Sequence, residues 1–99
     1  MPYKKYRWSK DYEAAEEELE LLLQRIGDDS HRYQLEAYED VPEQQLTQAR
    51  RLWCAEGSLR VMVDNKTVSL QPGDALDISP DVLHAASAGV AGCVWYEAC

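Results

Sequence analysis

Apolar residues recur three and four positions apart early in the chain: Tyr12, Ala15, Leu19, Leu22, Leu23 and Ile26 share one face of a helical projection. The spacing predicts an amphipathic helix over roughly 10–26, with Ser9 as its N-cap and Gly27 as the residue that ends it. Asp11 and Glu13 in the first turn and Arg25 in the last suit the helix dipole. Glu13/Glu17 and Glu16/Glu20 are like-charge pairs four apart and weaken an isolated helix by a few tenths of a kcal/mol each, so the leucine stripe needs a surface to pack on. The sheet that follows is the natural partner.

From Asp28 the period falls to two. Tyr33, Leu35 and Ala37 alternate with Arg32, Gln34 and Glu36. Val41-Pro42 interrupts the pattern, an extended segment resumes from Leu46 to Glu56, and Gly57 breaks it before Leu59, Val61 and Val63. Asp64-Asn65-Lys66 reads as a hairpin turn and Gln71-Pro72-Gly73-Asp74 as a second turn, since these residues suit the backbone angles that turns require. Leu76 and Ile78 form a short strand. Val82, His84 and Ala86 follow Ser79-Pro80-Asp81, a Gly-bounded loop spans 87–92, and a last strand runs from Cys93 to Glu97. Seven or so short strands with closely spaced turns predict an all-β sandwich or small barrel carrying an N-terminal helix.

Composition narrows the class. Ninety-nine residues allow one domain with one core, and 45 % hydrophobic with 28 % charged residues is the balance of a globular chain. The expected layout is a helical segment at 1–30 packed on a β-barrel at 31–99. A net charge of −8 argues against nucleic acid as partner. The basic lead, with Lys4, Lys5, Arg7 and Lys10, is too short for a nucleic-acid arm. It is not followed by an apolar run of the kind that exports or anchors a chain, so a cytoplasmic protein free of the membrane is expected. Three cysteines, Cys54, Cys93 and Cys99, fit neither a disulfide framework nor a zinc knuckle. Cys54 is expected as a small core side chain.

Between Trp53 and His84 the pattern becomes specific: Trp-Cys-Ala-Glu-Gly-Ser-Leu-Arg-Val-Met-Val-Asp-Asn, then Leu-Gln-Pro-Gly-Asp-Ala-Leu-Asp-Ile-Ser-Pro-Asp-Val-Leu-His. This resembles the cupin family over residues 31–97 and implies an RmlC-like jelly-roll β-barrel. Gly57 stands where the first cupin motif ends, and Gly73 to His84 carry the spacing of the second, with Pro80 one place late, Asp81 in place of a glycine and Ala88 where an Asn is expected. The family's metal-binding Glu falls on Arg50. Its two motif histidines fall on Glu43 and Gln45, or on Gln44 and Leu46 with the shorter spacing. His84 alone retains the ligand type.

A guanidinium repels each unit of an ion's positive charge by about 4 kcal/mol at ~4 Å and an effective dielectric of ~20, so the resemblance implies a degenerate metal site and no cofactor. The alternative is an ion such as Ni, Mn, Fe or Zn held poorly by His84, Glu43 and Gln45, which would serve a dioxygenase, isomerase or decarboxylase. Strand alternation turns Arg50, Leu52 and Cys54 inward and Arg51, Trp53 and Ala55 outward. Arg50 and His84, with Glu43 and Gln45, would then cluster at one mouth of the barrel and bind a small anionic molecule. In the bland alternative Arg50 pairs with Glu43 and there is no site. A metal-free isomerase with His84 as general base and a purely structural protein are the other classes left open. His31 is expected on the surface. Trp53 and Trp95 are expected to face outward, under the helix or in a homodimer contact.

Overall fold

The computed structural model of the chain describes residues 2–10, 16–27 and 29–98. In order, the elements are β1 (Tyr3–Arg7), α1 (Glu16–Ile26), β2 (His31–Leu35), β3 (Asp40–Gln44), β4 (Arg50–Val63), β5 (Lys66–Leu70), β6 (Asp74–Ile78) and β7 (His84–Ala98). All strand pairings are antiparallel. The strands follow the order β1-β6-β4-β7-β2, with β3 added on β7 and β5 on β4.

Two long central strands carry the architecture. The first part of β4 pairs with β6 and with the last part of β7, whereas its second part pairs with β5 and with the first part of β7. Register shifts between Cys54 and Glu56 and between Gly57 and Leu59 bend both strands at the same level. Gly57 and Gly92 make that bend possible. Their φ angles are 73° and 73°, and a Cβ on Gly57 would collide with the carbonyl of Gly92. The sheet therefore folds over on itself, with both of its halves contributing to one core.

The bend also switches side-chain parity. Leu52 and Cys54 face the core before Gly57, and Leu59, Val61 and Val63 face it afterwards. On β7, Ala86 and Ala88 give way to Cys93 and Trp95. The outer face of the first half is sealed by Leu19 and Leu23 of α1, which pack with Trp53, Ala55, Ala75, Val94, Tyr96 and Ala98. Full burial of each leucine contributes roughly 1.5–3 kcal/mol.

Several expectations hold. The helix ends at Gly27, whose N–H donates to the carbonyl of Leu23. The Asp64-Asn65 hairpin has positive φ at both residues, and Asp74 N–H closes the second turn on Gln71. Cys54 is a core residue and Trp53 lies under the helix. Of the expected start of the helix, residues 11–15 lie outside those described, as does Cys99.

Other expectations are corrected. Gly57 does not end a strand, and 87–92 is not a loop: bulged strands run through both, because an antiparallel ladder tolerates an extra residue at a glycine bend. Val41-Pro42 belongs to β3, where a proline is tolerated because β3 pairs only with β7 and its ladder skips from Val41 to Gln44. The basic lead supplies β1, so residues within 1–30 contribute a strand as well as the helix. Trp95 faces the core, since it pairs in register with inward Cys54. Trp53, buried beneath α1, offers no surface to a second subunit. The jelly roll is not closed by a continuous ladder into a barrel: among the described residues β1, β2, β3 and β5 each pair with one strand only.

Candidate functional site

The end of the folded sheet opposite the glycine bend is where the sequence motifs converge. Arg50 opens β4 on one half of the sheet, in register with Ile78. His84 opens β7 on the other half, in register with Val63. The segment 79–83 joins the two halves here, with Asp81 N–H donating to the carbonyl of Leu46 at 2.7 Å.

Arg50 does not share a hollow with Glu43 and Gln45. Arg50 lines a hollow of about 300 Å³ together with Asp29, His31, Tyr33, Glu97 and Ala98. Glu43 and Gln45 are exposed and line a separate hollow with Met62, Lys66, Asp81 and Leu83. Gln45 is occupied there by a hydrogen bond from its Nε2 to the carbonyl of Asp81 at 2.6 Å. The separation follows from alternation: Arg50 points inward, whereas Glu43 and Gln45 flank half-buried Gln44 and point outward. His84, only 6 % exposed, lines neither hollow.

Arg50 is paired with Glu97, not with Glu43. Its Nη1 donates to Glu97 Oε2 at 2.7 Å, with side-chain exposures of 18 % and 12 %. The indole Nε1 of Trp95 donates to the other oxygen, Oε1, at 2.9 Å. Trp95 in turn stacks on Tyr33, with ring centroids 5.5 Å apart and planes 19° from parallel. Glu97, Trp95 and Tyr33 thus form a chain of contacts behind Arg50. Tyr33 is 43 % exposed and presents its ring to the hollow. Glu97 neutralises the guanidinium expected to meet an anion at the barrel mouth.

His84 is held by its backbone surroundings. Its Nδ1 lies 3.0 Å from the carbonyl of Val82, to which an Nδ1–H would donate, and its buried Nε2 has no hydrogen-bond partner among the described residues. That nitrogen has the chemistry of one metal ligand. Among the described residues no group of three or more His, Cys, Asp or Glu side chains is arranged to hold an ion. With Arg50 engaged by Glu97 and His84 contributing a single nitrogen, these residues do not fit the metal that the fold family implies.

His31, Tyr33 and Glu97 are site residues that the motifs do not reveal. A signal exists for Glu97, which lies two residues from Trp95 on the same face of β7. Using it requires knowing that the end of β7 has switched parity at Gly92.

The chain matches no family profile and no curated protein. Solved structures do resemble it. An RmlC-like cupin from Shewanella frigidimarina superposes with a TM-score of 0.64 at 19 % identity, over 69 % of this chain and 60 % of that one. This chain thus covers less than two thirds of that relative's length. A DUF861 family protein from Thermotoga maritima gives 0.61 at 10 % identity, over 96 % of both chains. Salicylate 1,2-dioxygenase from Pseudoaminobacter salicylatoxidans gives 0.62 at 16 % identity, over 81 % of this chain and 29 % of the enzyme. The chain has the fold of these small cupins. None of the described helices is long and apolar enough to cross a membrane.

Proposed function

We propose that this cupin-fold protein binds a small polar ring-bearing molecule in the hollow beside Tyr33, without metal-dependent catalysis. The observation that carries the reading is the flat Tyr33 ring, backed by Trp95 and flanked by the Arg50–Glu97 pair. An aromatic platform takes the flat face of a sugar or a small aromatic ring, and paired charges beside it supply donors and acceptors for that ligand's hydroxyl or carboxyl groups. Because Glu97 and Asp29 balance Arg50, the ligand need not be an anion. The metal-dependent alternative is weaker, since among the described residues no three His, Cys, Asp or Glu side chains are arranged to hold an ion.

The test is a thermal-shift and calorimetric screen with glucose, galactose, benzoate and citrate, run beside Ni, Mn, Fe and Zn salts. A ring-bearing probe should raise Tm in a saturable way, and Tyr33→Ala should abolish the shift. Binding that survives both Tyr33→Ala and Arg50→Gln refutes the site. Stoichiometric metal binding lost in His84→Ala refutes the metal-free reading.

A further inference from the structure

We propose that Cys54 and Cys93 are a redox modification site, closing into an intramolecular disulfide when a peroxide reaches the sheet bend. The two residues lie 39 apart in sequence on the two long strands, and the bend brings them together: Sγ to Sγ is 3.9 Å. Both are free and buried, at 0 % and 3 % exposure. Each faces the same core.

The surroundings favour one order of events. Cys93 lines a small hollow of about 90 Å³ with Gln34, Leu35, Glu36, Glu56, Ala91 and Val94, space for about three waters and so for hydrogen peroxide. Cys54 lies deeper, its thiol also 3.8 Å from the carbonyl of Leu70. The neighbouring Cys93 thiol and burial both push the Cys54 thiol upward, which keeps it protonated and inert until its partner changes. Cys93 is therefore the first to react. Its sulfur attacks one peroxide oxygen, the O–O bond breaks, and Cys93 becomes a sulfenic acid as one water leaves. The Cys54 sulfur then attacks the sulfenic sulfur, expelling its oxygen as a second water together with the Cys54 proton. Two thiols have lost two electrons, and one peroxide has been reduced to two waters.

Bond formation needs the sulfurs to close from 3.9 Å to about 2.05 Å, a shift of about 1.9 Å shared between two side chains. The resulting link ties β4 to β7 at their bend. It closes a loop of some 40 residues, for which a Tm rise of roughly 5–10 °C is expected after some loss to strain.

The experiment treats the protein carrying Cys99→Ser with graded hydrogen peroxide, then blocks free thiols under denaturing conditions for intact-mass and peptide analysis. The expected product is a monomer about 2 mass units lighter, by the loss of two hydrogens, whose Cys54 and Cys93 peptides are joined, with raised Tm restored by reductant. Cys93→Ser should abolish the product, and Cys54→Ser should trap oxygen adducts on Cys93. The proposal is overturned if the unsubstituted pair stays reduced up to peroxide levels that oxidise its methionines. It is equally overturned if oxidation yields only sulfinic or sulfonic adducts without the cross-link.

Discussion

Replacing Gly57 with alanine tests the claim that the sheet folds over at a contact between two glycine backbones. Gly57 has φ 73°, where an alanine costs about 1–2 kcal/mol for conformation alone. The added Cβ would also fall 2.9 Å from the carbonyl carbon of Gly92 and 3.1 Å from the Cα of Cys93, both backbone atoms of β7 that cannot rotate away. Forcing the strands apart adds about 1–3 kcal/mol, as overpacking does elsewhere. Gly27 provides the control. Its φ is 82°, yet nothing lies within 4 Å of the position an added methyl would take, so Gly27→Ala carries the conformational cost only. Urea unfolding of both variants should show Gly57→Ala losing about 2–5 kcal/mol and Gly27→Ala about 1–2 kcal/mol. A chain of this size shifts by about 4–8 °C per kcal/mol, so the Tm difference between the variants should be at least about 4 °C. Equal losses would refute the close crossing of β4 and β7 and leave backbone angle as the whole effect.

Arg7→Ala should destabilise by about 2–3 kcal/mol in the same assay, because Arg7 Nη1 holds buried Asp74 at 2.8 Å and also donates to the carbonyl of Pro72. Arg7→Lys should recover little, since a single ammonium cannot reach all the partners of the fork. Arg50→Met and Glu97→Met should each destabilise by roughly 2–3 kcal/mol, while the double variant loses less than the sum of the two, as a double-mutant cycle would show. The contact of Tyr96 with Glu16 at 2.5 Å and Glu20 at 2.8 Å ties α1 to the sheet and predicts two limbs of pH dependence. Arg32 and the Tyr96 hydroxyl hold Glu16 below its ordinary value of 4.5, so its stabilisation is present above that pH and is lost as acid titrates the carboxylate below it. Burial and the Glu16 contact push the Tyr96 phenol above its ordinary value of 10, so its contribution is complete below pH 10 and falls as pH rises beyond it. Tyr96→Phe should remove the alkaline limb from a plot of unfolding free energy against pH.

The local patterns of the chain are legible in residue order because each depends on near neighbours. The leucines of α1, the turn residues Asp64-Asn65 and Pro72-Gly73, and the alternation of Leu59, Val61 and Val63 follow from periodicity and backbone preference. The motif ending at Gly57 and the one from Gly73 to His84 carry the fold, and alternation turns Arg50 inward as the structure has it. Trp95 falls on the wrong face by the same count, because parity reckoned from the start of a strand fails once a bulge inserts a residue. The contact of Gly57 with Gly92 is a relation between residues far apart in sequence, and it exists once the sheet has folded over.

The same division applies to the site. That an arginine opens β4 on the same face as Leu52 and Cys54 can be read from residue order, since a count along one strand suffices. That Glu97, 47 residues away, answers its charge, that Tyr33 backs onto Trp95, and that Glu43 and Gln45 line a different hollow from Arg50 were settled by the folded chain alone. Charge pairing and ring stacking act over a few ångströms, and those distances are set by how two bent strands cross.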